Sequence, residues 1–107
     1  MLLSNDDIQK LADTIAGAVK PEKIILFGSY RTGEATEESD VDLFVVARSK
    51  LPRGKRASHI RRLFRGAGIP MDILVYTPEE VAYWKDTPAS LVAQVMAQGK
   101  VLYGRQN

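Results

Sequence analysis

Cysteine is absent from the 107-residue chain, which removes disulfides and thiolate metal sites from its chemistry and is compatible with a reducing compartment. Histidine occurs once, as His59 inside a basic run, and a lone surface histidine is a poor candidate for catalysis or metal binding. No apolar run approaches transmembrane length, and the start Met1 to Asp7 lacks the basic segment and long apolar stretch of a signal peptide. A cytoplasmic protein without membrane association is therefore expected. Internal repeats, low-complexity segments and domain boundaries are missing too. With 45% hydrophobic and 26% charged residues, a chain of this length buries one core, so residues 1–107 are expected to form a single domain.

What is present is more specific. The run Lys23 to Phe27 reads as a buried strand, and Gly28-Ser29 falls where it ends and the chain turns. A glycine there lets phosphate approach the backbone, and Ser29 offers a hydroxyl and an amide to phosphate oxygens. Ten residues later comes Asp40-Val41-Asp42, at the mouth of a second strand-like run from Val41 to Ala47. Side chains two apart on a strand share a face, so Asp40 and Asp42 are expected to point the same way. Two carboxylates about 7 Å apart repel unless a cation lies between them, and hard oxygen donors suit magnesium or manganese. Asp72 is a third lone acid in an apolar stretch, Ile69 to Tyr76. If its strand lies beside that of Asp40 and Asp42, the three can hold two ions about 3.5–4 Å apart, the arrangement of in-line phosphoryl or nucleotidyl transfer.

Each feature has an ordinary reading. Gly28-Ser29 could be a simple strand-ending turn, Asp40 a residue of the polar loop Thr36 to Ser39, and Asp72 the partner of an arginine. Asp42, between Val41 and Leu43, is harder to place without a ligand.

Gly28-Ser29, Asp40 and Asp42 at this spacing, Gly33 within the spacer and Asp72 on a later strand resemble the nucleotidyltransferase superfamily of DNA polymerase beta. Within it the chain is similar to the minimal nucleotidyltransferases, the small class often partnered with HEPN-domain proteins. Met71-Asp72-Ile73, Tyr76 to Glu80 and Val101-Leu102-Tyr103 extend the resemblance over nearly the whole chain. It implies an α/β (α+β) nucleotidyltransferase fold, a small mixed β-sheet flanked by helices. It also implies that Gly28 and Ser29 hold the triphosphate, that Asp40, Asp42 and Asp72 bind the metal, and that Asp72 helps activate the acceptor hydroxyl. Many relatives carry arginine just before the glycine matching Gly33. This chain has Thr32 there and Arg31 one place earlier, which makes Arg31 a secondary candidate for a phosphate contact. The acceptor the resemblance implies is a hydroxyl, plausibly a tyrosine, on a HEPN ribonuclease toxin silenced by AMP transferred from ATP.

The expected element order is helix, strand, turn, strand, helix, strand, two helices and a short final strand. Ile8, Leu11, Ile15 and Val19 give an amphipathic helix after a Ser4 or Asn5 cap, closed by Pro21. Lys55 to Arg65 is the second helix, ended by Gly66 and Gly68. Thr77-Pro78-Glu79-Glu80 is a capping box, and Thr87-Pro88 is expected to start the last helix, striped by Leu91, Val92, Val95 and Met96 and closed by Gly99. Of the neighbours Tyr83 and Trp84, one is expected in the core.

Net charge is only +2, but Arg48 to Arg65 holds eight Lys or Arg residues and no acid. That segment is a solvated helix face, or a surface for triphosphate, nucleic acid or an acidic partner. Three functions therefore stand: an adenylylating antitoxin using a nucleoside triphosphate and Mg2+ or Mn2+, a binding module neutralising its partner stoichiometrically, and a nucleic-acid-binding domain using residues 48–65. Nucleic acid is not the expected partner.

Overall fold

Ser4 starts the first helix through a reciprocal pair of bonds: its hydroxyl accepts from the Asp7 N–H at 3.1 Å, and its own N–H donates to Asp7 Oδ2 at 3.0 Å. In this computed structural model, which describes residues 2–104, helix α1 (Asn5–Val19) then buries Ile8, Leu11, Ala12 and Ile15 along one stripe. The ends of the expected 1–107 unit lie outside the described residues. Lys20 closes α1 in the left-handed region, at φ 49°, directly before Pro21.

Strands β1 (Lys23–Phe27), β2 (Val41–Val46), β3 (Met71–Tyr76) and β4 (Lys100–Gly104) form one sheet in the order β3-β2-β1-β4. β1 runs antiparallel to β2 and β4, whereas β2 and β3 are parallel. A parallel pair needs a crossover, here a 3-10 turn (Arg53–Lys55) followed by helix α3 (Ser58–Leu63); the single-turn helix α2 (Ser29–Thr32) lies earlier, between β1 and β2.

Both faces of the sheet are covered. Ile24, Leu26, Leu43, Val45, Ile73 and Val75 pack with α1 and with Ile60 of α3, while Ile25, Phe44 and Val46 pack with Val92 and Val95 of α5 (Leu91–Gln98). That is why β1 and β2 read as continuous apolar runs. Gly99 leads from α5 into β4 so close to β1 that a Cβ there would lie 2.6 Å from the Val95 carbonyl oxygen and against the Ile25 side chain.

Three expectations change. The helix expected over Lys55 to Arg65 is split into the 3-10 turn and the shorter α3, because Lys55 N–H bonds Pro52 O at 2.9 Å and fixes a tight turn first. The last helix starts at Leu91 rather than Thr87. Thr87 and Pro88 sit in a turn whose Ser90 N–H reaches Thr87 O at 2.9 Å, and Ser90 is the cap, its hydroxyl accepting from Ala93 N–H at 3.0 Å. Tyr83 and Trp84, on α4 (Pro78–Trp84), are 74% and 39% exposed, so neither is core; they pack edge to face at 4.9 Å.

The basic segment divides in a way its sequence does not show. The Arg56 side chain is largely covered, bonding Leu51 O at 2.8 Å, Val75 O at 3.2 Å and Glu80 through both carboxylate oxygens at 2.6 and 3.2 Å. Glu80 also completes the Thr77 capping box that starts α4, with Thr77 N–H donating to it at 2.9 Å. The Arg56 hydrogen bonds hold the Glu80 carboxyl below its ordinary value of 4.5. Its contribution to stability is therefore full above that value and disappears as pH falls through the lowered one. Arg56→Ala leaves a half-buried carboxylate unpaired and is expected to cost about 2–3 kcal/mol, roughly 10 °C in melting temperature. Glu80→Gln is expected to flatten the acid limb of a melting-temperature profile below pH 4.5.

Candidate active site

Parallel pairing of β2 and β3 sets Asp42 directly beside Asp72, with their α-carbons about 4.8 Å apart by the spacing of adjacent strands. Both stand on the α5 side of the sheet, since Val41, Leu43 and Ile73, the neighbours that alternate with them, are buried against α1. The junction is held by the Val41 N–H, which donates to Pro70 O at 2.9 Å and ties the start of β2 to β3. Asp40 is delivered by a polar loop closed on itself, with Thr36 N–H donating to Ser39 Oγ at 2.9 Å and Ser39 N–H to Thr36 O at 3.1 Å. Asp42 is half-buried, whereas Asp40 and Asp72 are exposed.

Electrostatics link the three. Burial, then the Asp72 charge, then the Asp40 charge push the Asp42 carboxyl above its ordinary value of 3.8. Among the described residues no basic side chain forms an ion pair with any of the three. Nor, among those residues, do three acidic or imidazole groups already enclose a space the size of an ion. Mutually repelling carboxylates at one end of a sheet are brought together rather than caged. Their oxygen donors and uncompensated charge fit a hard divalent cation.

Gly28 is the other half of the site, and the structure gives it a further role beside the one its sequence suggests. At φ +73° it caps α2, and a Cβ built on it would overlap Asp42 Oδ2 and lie 2.9 Å from Asp42 Cγ. The missing side chain therefore makes room for the Asp42 carboxylate, with Phe27 opposite Asp42 in the β1–β2 register. Ser29 opens α2, its carbonyl accepting from Gly33 N–H at 3.1 Å and Glu34 N–H at 3.0 Å. Gly33, at φ +85°, ends that turn.

Arg31 leaves the turn toward α5, where its Nε donates to Gln98 O at 2.9 Å. It borders a cleft of about 210 Å³ with an apolar floor of Phe27, Leu91 and Val95 and a polar rim that includes Gln94 and Gln98. If Arg31 contacts a nucleotide phosphate, as the resemblance implies, Arg31→Ala raises KM for the nucleotide up to about tenfold with kcat unchanged, the size of one lost charge-assisted bond. A fall in kcat of similar size would instead put Arg31 on the transferring phosphoryl group.

Two contributors were not visible in the chain read as a string. Gln94 and Gln98 face the cleft because they lie four apart on α5, beside the apolar stripe that drew attention first. Tyr30 anchors α2: its ring packs on the core and its hydroxyl accepts from Leu3 N–H at 3.2 Å. A lone aromatic directly after Gly-Ser was the only signal.

A four-stranded mixed sheet with a Gly-Ser turn over a pair of adjacent aspartates defines a nucleotidyltransferase domain. A family model described as nucleotidyltransferase domain matches residues 8–98, and the chain belongs to that family. A relative in Methanocaldococcus jannaschii, provisionally named protein adenylyltransferase MJ1305, is 32% identical over 78% of this chain. The chain spans 59% of that relative's length. Among solved structures, a toxin-antitoxin with AMP-PNP is similar at TM-score 0.63 and 27% identity, covering 92% of this chain and 74% of that one. A variant of the toxin-antitoxin MntA-HpeT, in which two aspartates two positions apart are replaced by glutamate, gives TM-score 0.56 and 29% identity over 97% of this chain and 75% of its own. The fold class read from the sequence agrees with these neighbours. Among the described residues no helix is long and apolar enough to cross a membrane.

Proposed function

We propose that the chain is a metal-dependent adenylyltransferase acting in the cytoplasm, moving AMP from ATP to a hydroxyl, a tyrosine, of a HEPN toxin and so serving as its antitoxin. The observation that carries this reading is the side-by-side placement of Asp42 and Asp72 at the sheet end where Gly28-Ser29 turns. It is supported by the relatives named adenylyltransferase and by the toxin-antitoxin neighbours.

Gly28 and Ser29 receive the triphosphate, and Asp40, Asp42 and Asp72 would hold magnesium or manganese. When bound, the ion neutralises triphosphate charge and lowers the pKa of the acceptor hydroxyl. Asp72, exposed on the edge strand β3, is where an acceptor from outside can approach and give up its proton. The acceptor oxygen then bonds to the α-phosphorus, the bond from that phosphorus to the bridging oxygen breaks, and pyrophosphate leaves. The protein's contribution is placement and charge compensation.

Purified protein mixed with α-labelled ATP, magnesium and the HEPN partner is expected to label the partner, and Asp42→Ala to abolish the label. No label on the partner, or an Asp42→Ala variant equal to wild type, overturns the proposal. The exposed Tyr83–Trp84 pair favours direct docking of a partner as well, which permits neutralisation by complex formation alone. Asp40→Asn/Asp42→Asn separates the two: protection of toxin-expressing cells is lost if chemistry is required and kept if binding suffices.

A further inference from the structure

The basic segment does not act as one surface. Arg48 lies 3.9 Å from Glu22 and 3.5 Å from Glu79, Arg53 sits 4.8 Å over the Tyr76 ring, and Arg56 is consumed by Glu80. What remains is concentrated on α3. Ser58, Arg61 and Arg62 of α3 and Arg65 of the turn that follows it line a shallow dish of about 360 Å³. The opposite side, Ala57, Ile60 and Phe64, packs into the core on the α1 side of the sheet, facing away from Asp42 and Asp72.

We propose that this dish binds the phosphodiester backbone of a nucleic acid, independently of the nucleotide site. Among the described residues, none of the three arginines forms an ion pair, and three like charges stand together around one dish. One cation at the C-terminal end of α3 would suit the helix dipole; three exceed that need. All three are arginine, whose planar fork bonds a phosphate through two N–H groups at once. Ser58 adds a hydroxyl donor at the near end. Three arginines around one dish can meet about three phosphates, the number that one strand of a duplex carries over about 10 Å.

An acidic protein is the competing ligand, and the lining decides against it. Protein interfaces have apolar or aromatic centres, whereas the walls of this dish are arginine and serine alone. With no aromatic group in the dish to stack a base, the binding is indifferent to sequence.

The test is fluorescence anisotropy with a labelled 20-nucleotide single-stranded RNA and a 20-base-pair DNA duplex, both of arbitrary sequence. Wild type is expected to bind with a log–log salt slope of about −2 on the single strand, so that affinity falls about fifteenfold between 50 and 200 mM salt. The triple variant Arg61→Gln/Arg62→Gln/Arg65→Gln is expected to lose that binding with its melting temperature kept, the triple lysine variant to keep most of it, and Asp42→Asn to bind like wild type. If the triple variant does not fold, each single substitution is expected to reduce the slope by about 0.7. Absence of wild-type binding at 50 mM salt, unchanged binding by the glutamine variants, or displacement of the RNA by polyglutamate at equal charge overturns the proposal. Loss of binding in Asp42→Asn would assign the affinity to the nucleotide site instead.

Discussion

Asp42→Asn is expected to lower AMP transfer by on the order of 1000-fold and, at the same time, to raise the melting temperature of the nucleotide-free protein. On the proposed function, the first effect follows from removing one of the oxygen ligands of an ion that would stabilise charge in the transition state, several kcal/mol in rate terms. The second comes from the same carboxylate without its cation. Burial, Asp72 and Asp40 raise the Asp42 pKa, so in the window just above pH 3.8 the folded protein binds more protons than the unfolded chain. Stability therefore falls as pH rises through that window, and the deficit persists at neutral pH. Asparagine removes it. Magnesium should offset it only in wild type, so thermal melts at pH 7 with and without magnesium are expected to rise for wild type and stay level for Asp42→Asn. A variant that loses activity by unfolding would melt lower, not higher, which separates the two causes.

Gly28→Ala is expected to damage both stability and transfer activity. Two independent costs meet at this position: a positive φ that alanine rarely adopts, and a Cβ that overlaps the Asp42 carboxylate. Together they amount to about 2–4 kcal/mol, or some 10–20 °C in melting temperature. Transfer activity should fall further than stability does, because the alanine methyl displaces Asp42 from its place beside Asp72. Gly33→Ala serves as the control. Gly33 also has a positive φ, but a Cβ there meets nothing within 4 Å, so only the strain of about 1 kcal/mol is expected. Equal losses at both positions in paired melts and activity assays would mean that the contact with Asp42 is immaterial.

The strands and their acids were legible because their signals are local. An apolar run sealed by Gly-Ser, and carboxylates alternating with Val41 and Leu43, carry their own explanation. The capping box at Thr77 was similarly plain and Ser4 was one of the two caps offered for α1, although Ser90 out-competed Thr87 as a cap by a hydrogen bond that residue types alone do not reveal. What the chain could not disclose are relations across it. The parallel register that puts Asp42 beside Asp72 depends on the crossover between β2 and β3, and the meeting of Arg31 with the end of α5 spans 67 positions. The same holds for Arg56. It reads as one more charge in a basic run and is instead a largely covered tie between the crossover and α4, its guanidinium satisfied by groups from three separate segments. Tyr83 and Trp84 misled in the other direction, since apolar area suggests a core that α4 touches through Val81 instead.

Isothermal titration of the protein with a non-hydrolysable ATP analogue, run with magnesium and again with excess chelator, bears most directly on the carboxylate site. Saturable binding with one nucleotide per chain is expected in magnesium only, abolished by Asp40→Asn/Asp42→Asn and by Asp72→Asn. Binding of equal strength in chelator, or undiminished in those variants, would contradict a cation held by Asp40, Asp42 and Asp72.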